Sequence, residues 1–361
     1  MKKVLLTAMA LLTIASASVF GMYGKGDGWI DFLVHGNQFR ARMDQLGFVL
    51  GNDTIKGTFG FKADQGALGA ILNSDNNGTS TYTTLFKPTL SAGIGYTSDI
   101  IGVGVGYNFT YIDKNLQVHT PVLMINALNN SIRFIAPIQV AVTDKLNGSA
   151  GYKYTGVAFN NIQFRYYTGI DAFNAIRLYA FYRNNGFEFN GSKGSSEAFG
   201  IQARFYFLNT QVGDVTVNPY IRVEYHTALR GSTLEKYNAE SYSLYDIVPT
   251  DAKQSDIYDV SPYKFAIKPV LSLAANSDYV SLYFEPSLGY TLTGKKGKGV
   301  KEEMSHALAW GAYAELYITP VKDLEWYFEM DVNGNAGQNN ENLPPVSFAA
   351  TTGITWYLPA L

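Results

Sequence analysis

Several stretches of the 361-residue sequence carry residue types that could do chemistry, and their spacing decides against most of it. Residues 289–296, GYTLTGKK, have the G-x4-G-K frame of a phosphate-binding loop. That loop needs a Ser or Thr after the Lys to reach magnesium, and a helix N-terminus to hold the phosphates. Neither is present, because the stretch starts in strand-like alternation and runs on into GKKGKGVK, a basic loop. The stretch DVNGNAGQNNEN opens like a calcium loop with Asp331, Asn333 and Asn335. Its sixth place is Ala336 where the turn needs Gly, and its twelfth is Asn342 where a bidentate Glu belongs. His35, His119, His226 and His306 lack metal-ligand spacing. His226 lies two residues after Glu224, but Arg222 is the more natural partner of that carboxylate. With no cysteine, disulfides, thiolate metal sites and thiol nucleophiles are excluded. No cofactor, metal site, catalytic residue or enzymatic activity is expected.

The glycines of IGVGVGYNFTY, residues 101–111, pose a sharper choice. Gly102, Gly104 and Gly106 are spaced by two, opposite Ile101, Val103, Val105, Tyr107, Phe109 and Tyr111. A phosphate cradle puts its glycines at a turn before a helix. Strict alternation instead makes a strand with one apolar face and one nearly without side chains. The same period recurs in LEWYFEMDV (324–332), VSLYFEPSLGY (280–290) and FGIQARFYF (199–207).

Ten-residue segments of this kind, separated by turn residues, are the pattern of a transmembrane β-barrel. The composition agrees: 14% aromatic, 35 Gly and only 16% charged residues, against roughly 25% charged in ordinary soluble domains. The net charge of −2 offers no broad basic field for nucleic acid. Residues 1–21 read as a cleaved secretory signal, with Lys2 and Lys3, an apolar run and cleavage after Ala17 or Gly21. Residues 22–361 then form one domain, an all-β, closed antiparallel transmembrane β-barrel of about sixteen strands. The first two strands are expected at 27–35 and 39–50. Short turns should lie on the periplasmic side and long loops outside, at 63–84, 144–160, 184–196, 228–262, 293–305 and 333–345. Tyr96, Tyr111, Tyr182, Trp356 and Tyr357 suit interfacial girdles.

The opening MYGKGDGWIDFLVHGNQFRARMDQLGFVLGN, followed by GTFGFK, resembles the variable surface proteins of Brachyspira spirochaetes. The resemblance implies an abundant outer-membrane protein and surface antigen. It carries no catalytic motif and no site residues.

The faces opposite the lipid-facing residues hold the charge, and the signs segregate. A basic arc of Arg133, Arg165, Arg177, Arg183, Arg204, Arg222, Lys264 and Lys268 is expected to face an acidic arc of Asp31, Glu285, Glu315, Glu325, Glu329 and Asp331. Arg40, Arg42, Lys56, Lys62 and Lys87 are also expected to point inward, and Asp44 and Glu224 are exceptions to the segregation, acids on the basic side. Inward charge follows from the cost of charge on lipid, roughly 2–4 kcal/mol per Arg or Lys at mid-bilayer. Segregation does not. It suits either porin-like passive diffusion of small polar solutes or ions, or salt bridges that brace and close the barrel. The glycine face leaves room for an infolded loop to pack on Gly102, Gly104 and Gly106. The Tyr-rich loop 228–262 could constrict the pore or bind a host ligand. Partners are therefore outer-membrane lipid, small polar solutes, a host ligand at the loops and further copies in a homo-oligomer. An alternative is a non-conducting surface antigen or adhesin.

Overall fold

The computed structural model describes residues 28–42, 45–62, 88–230, 260–297, 303–336 and 346–358. The expected signal segment and the centre of the loop 228–262 lie outside them. Alternating sequence becomes strand after strand. The first are β1 (Gln38–Arg42), β2 (Gln45–Gly51), β3 (Ile55–Lys62), β4 (Thr89–Tyr96), β5 (Ile101–Asp113) and β6 (Leu116–Ala127). There follow β7 (Ile132–Pro137), β8 (Gln139–Thr143), β9 (Lys153–Ile170), β10 (Phe173–Phe189), β11 (Ser192–Tyr206), β12 (Thr210–Val212) and β13 (Val215–Val217). The last are β14 (Tyr220–Arg230), β15 (Val260–Val270), β16 (Leu273–Asn276), β17 (Val280–Gly297), β18 (Glu303–Val321), β19 (Leu324–Ala336) and β20 (Val346–Leu358).

These form sixteen antiparallel staves among the described residues, because four staves are broken into two segments each. Pro137, Pro219 and Pro269 stand at three of the breaks, where a residue without an N–H cannot donate to the ladder. Leu208, at a φ of 53°, turns the chain at the fourth. The barrel closes where β1 pairs with β20, Phe39 opposite Leu358 through Arg42 opposite Thr355.

The short turns gather at one end, at 52–54, 97–100, 128–131, 171–172, 213–214, 277–279 and 322–323. Both chain ends of the barrel, Gln38 and Leu358, open on that same side. The other end is less uniformly looped than expected. The loop anticipated at 184–196 is mostly strand, with β10 and β11 running out to a two-residue turn at Asn190 and Gly191, and that at 144–160 is shortened because β9 starts at Lys153. Both turn residues have positive φ, 49° and 79°, which matches the twist of a hairpin. Apolar alternation fades there, but ladder hydrogen bonds need no apolar face, so the strands outrun their hydrophobic signal.

The expected first strand at 27–35 is instead a 3-10 helix, Trp29–Val34. Trp29, Ile30, Phe32 and Leu33 are all buried, which wraps apolar contact around the segment rather than along one face. The expected strand 39–50 is in turn two strands, β1 and β2, paired with each other. One strand lost and one gained leave the count at sixteen.

The outer face is an apolar belt. Val105 is 55% exposed, and its cross-strand neighbours Ile94 and Leu123 are exposed beside it. Phe39, Phe48 and Phe59 line up on neighbouring staves with ring centroids 5.7 and 6.3 Å apart. Tyr357 departs from the girdle expected of it and faces inward under the Arg40 guanidinium. Placing a charge in the belt with Val105→Arg is expected to destabilise the folded barrel by about 2–4 kcal/mol. Urea unfolding in lipid vesicles reads this, and an unchanged midpoint would show that Val105 does not face lipid.

Candidate functional site

The candidate site is the inner wall of the barrel. Its residues follow from the pleat: on β5 the inward set is Gly102, Gly104, Gly106, Asn108 and Thr110. The 3-10 helix Trp29–Val34 lies against this wall. A Cβ added at Gly106 would meet the Trp29 ring at 2.7 Å, and one at Gly104 would meet Leu33 at 3.1 Å. At Gly102 it would touch Leu33 at 3.4 Å. Glycine is needed here for close approach of another segment. That segment is the N-terminal helix, not the infolded loop expected from the sequence. Val49, Val122, Met124 and Ile135 complete its apolar seat. Trp29 Nε1 donates to Asn108 Oδ1 at 3.3 Å, and Lys56 Nζ donates to the Leu33 carbonyl at 3.0 Å.

Asp31 therefore does not belong to an acidic arc on the wall. It sits on the helix, buried, and pairs with Arg133 of β7 and with Arg165 of β9 at 3.4 Å. Burial opposes its charge, but Arg165 and then Arg133 outweigh that and hold the carboxyl below the usual carboxylate range. An infolded turn does exist, nearer the other end. Leu146, in the connection between β8 and β9, is buried on inward residues Leu116, Val118, Ala141 and Tyr154. Helix and turn thus fill one side of the lumen, over β4 to β9.

The register arranges most of the basic arc into a single row. Arg133 lies directly opposite Arg165, Arg165 opposite Arg177, Arg177 opposite Arg204, Arg204 opposite Arg222 and Arg222 opposite Lys268. A second row toward the short turns runs Tyr167, Ala175, Tyr206, Tyr220. A third, on the other side, runs Gln163, Tyr179, Gln202, Glu224. Guanidinium groups lie over the rings between: Arg133 over Tyr167 at 5.0 Å, Arg177 over Tyr206 at 4.8 Å and Arg204 over Tyr179 at 5.0 Å. Arg222 pairs with Glu224 of its own strand, Nε to Oε2 at 2.9 Å, and Lys264 reaches the same carboxylate at 3.3 Å. Arg183 stands apart from the row and donates to Ser196 Oγ at 3.0 Å.

The remaining acidic residues lie on β17 to β19, adjoining the basic row rather than facing it across the lumen. Glu285 accepts from Tyr220 at 3.3 Å and from Tyr283, while Glu315 accepts from Tyr313 and from Tyr317 at 3.4 Å. Glu325 accepts from Tyr357 at 3.4 Å, and Glu329 pairs with Arg42 of β1 at 3.5 Å. Asp331 accepts from Asn333 at 2.7 Å. The tyrosines between the charges were not singled out from sequence, although their two-residue offset from Arg165, Arg177, Arg204 and Arg222 was the available signal. The GYTLTGKK stretch lies within β17, and the calcium-like opening lies within β19. Among the described residues no cluster of His, Asp and Glu could hold a metal.

The family model described as Serpulina hyodysenteriae variable surface protein matches residues 2–357. No curated protein matches the chain. Among solved structures the chain is similar to in-vitro folded OmpT, an outer membrane protein of Vibrio cholerae, at 9% identity and a TM-score of 0.34, covering 90% of this chain and 97% of that one. It is similar to the loop L8 deletion mutant of the same protein at 9% identity and a TM-score of 0.34, covering 89% and 97%.

Asp31→Asn leaves two buried guanidinium groups without their carboxylate, a loss of roughly 3–5 kcal/mol. A lower urea midpoint for the folded barrel is expected, and Gly106→Leu, which evicts Trp29, should move it the same way. An unchanged midpoint in both variants would show that the helix does not brace the barrel.

Proposed function

The chain belongs to the Serpulina hyodysenteriae variable surface protein family, and we propose that its barrel is an outer-membrane pore for small polar solutes. Passage follows the side of the lumen that the described residues leave unfilled. The observation that carries this is the contrast between two inner walls. On β5 and β6 the inward residues Asn108, Thr110, Leu116, Val118, Val122 and Met124 are buried. On β20 the inward residues Ser347, Ala349 and Thr351 are exposed, as are the outward residues beside them. A sixteen-stave barrel has an interior wider than its own side chains can fill. The helix and the infolded turn occupy one side of it, and water reaches the other.

The charge along the open side favours polar over apolar solutes, since Glu325, Glu329 and Asp331 line it beside Arg42. The segments between strands at the end opposite the short turns are the surface-exposed part of the molecule, in keeping with a family of surface proteins. Diffusion through the wall side and antigen display at the loops use different parts of the chain, so one barrel serves both.

Purified, folded protein is expected to give stepwise conductance in planar lipid bilayers. Ala349→Trp, which puts an indole on the exposed inner wall, should lower the unit conductance, whereas Ala350→Trp on the outer face should leave it unchanged. Folded protein without any conductance would overturn the pore and leave a non-conducting surface antigen.

A further inference from the structure

The row of cations places like charges side by side on the barrel wall. Like charges directly opposite on paired strands repel and destabilise the pairing, and here five such pairings follow one another from Arg133 to Lys268. The ends of the row are compensated. Asp31 pairs with Arg133 and Arg165, and Glu224 pairs with Arg222. The middle is not. Among the described residues neither Arg177 nor Arg204 has a carboxylate within ion-pair distance, and Glu285 acts on Arg204 only through space while its oxygens hold Tyr220 and Tyr283.

The two middle groups are nevertheless built into place. Each guanidinium is stacked on tyrosine, Arg177 on Tyr206 and Arg204 between Tyr179 and Tyr220, at 4.8, 5.0 and 5.7 Å. The Nε atoms of both are buried without a hydrogen-bond partner. Among the described residues their terminal nitrogens have no hydrogen-bond partner, and both side chains are only partly buried, which leaves these edges open to the lumen. Stacking fixes the plane of a guanidinium and leaves its edge to donate. Two adjacent edges, each able to form paired N–H···O bonds, match the oxygens of a tetrahedral or planar oxyanion.

We propose that Arg177 and Arg204 form a binding site for a multiply charged oxyanion, of which inorganic phosphate is the simplest, and that Lys268 and Arg222 extend it along the wall. This rests on the pore reading for its access route, since the ligand arrives through the lumen. The bound oxyanion supplies what the like-charge row lacks, a counter-charge at its centre. It also sets the solute class: anions with several oxygens are held in preference to chloride, whose single centre cannot use the fork.

Two measurements keep the site and the pore separable. The first is equilibrium binding of inorganic phosphate and of pyrophosphate to the detergent-folded, full-length barrel by titration calorimetry. The second is the conductance of the same preparation in chloride with either anion added. Wild type is expected to bind pyrophosphate more tightly than phosphate, and both anions should reduce the chloride current. Arg177→Gln with Arg204→Gln should weaken binding by about tenfold or more, as expected for charge-assisted bonds, and relieve the block. Arg183→Gln, outside the row, should change neither. Binding that is lost in the double variant in a barrel that does not conduct upholds the site and refutes the pore. Conductance with no oxyanion binding, or with binding equal in wild type and the double variant, overturns the site and spares the pore. If the double variant fails to fold, Arg177→Lys and Arg204→Lys keep the charge and lose the fork. The site then predicts weaker pyrophosphate binding at unchanged chloride conductance, and undiminished binding refutes it.

Discussion

Everything in this molecule depends on closing the seam between its first and last staves. A hydrocarbon layer offers no partner to a backbone N–H or C=O, so a sheet can cross it only if no edge remains. Here the seam is short, from Phe39 opposite Leu358 to Arg42 opposite Thr355. Its inner side is reinforced by side chains that bridge beyond the backbone pairs. Arg40 lies over Tyr357 of β20, and Arg42 lies 3.7 Å over the Tyr327 ring of β19 while pairing with Glu329. Those arginines sit inward because the outer side of the same strands must stay apolar. The constraint that forbids charge outside thus puts the charge where it can tie the seam.

Closure on sixteen staves creates a second problem, an interior too wide for side chains to fill. The protein treats its two sides differently. Over β4 to β9 it fills the space with its own chain, and the glycines of β4 and β5 make that possible by giving up their side chains to Trp29 and Leu33. Full burial of a large apolar side chain contributes about 1.5–3 kcal/mol, and Trp29, Ile30, Phe32 and Leu33 all achieve it. Asp31 adds no comparable gain by itself, since a buried ion pair roughly offsets its own desolvation. Its effect is positional: it registers the helix against β7 and β9. Over β17 to β20 the described residues supply no filler; Ser347, Ala349 and Thr351 of β20 are exposed there, while Glu315 and Thr355 are buried.

The alternation of Ile101 to Tyr111 made strand, face and barrel legible in the sequence, because lipid on one side and a lumen on the other impose period 2 directly. The helix Trp29–Val34 was not legible. Its six residues are too few for a helical period, and Trp29, Asp31 and Leu33 mimic one face of a strand. The hairpin of β10 and β11 was hidden for the opposite reason, since its outward residues there, Asn184, Gly186 and Glu188, give no apolar stripe, and its apolar residues, Phe187 and Phe189, fall on the inward face with Arg183 and Asn185. Inward placement of the arginines could be read one strand at a time. That Arg133, Arg165, Arg177, Arg204, Arg222 and Lys268 fall on one level could not, because register depends on turn lengths and on breaks such as those at Pro219 and Pro269. A slip of two residues anywhere would preserve every face and scatter the row.

The position of the N-terminal helix ties filling and charge together. Segregated arcs facing each other would set a field across the lumen. The registers instead place the acidic staves β17 to β19 next to the basic row, so the charge gradient runs around the wall. At one end of that row Glu224 and the Glu285 cluster temper the positive charge, and at the other end Asp31 does. Asp31 is the only one of these acids carried by a segment that is not part of the wall. Docking the helix therefore does two things at once. It closes the glycine side by apolar contact and lowers the positive potential at Arg133 and Arg165. What remains positive is the centre of the row, at Arg177 and Arg204, beyond the direct reach of either the helix or the acidic staves.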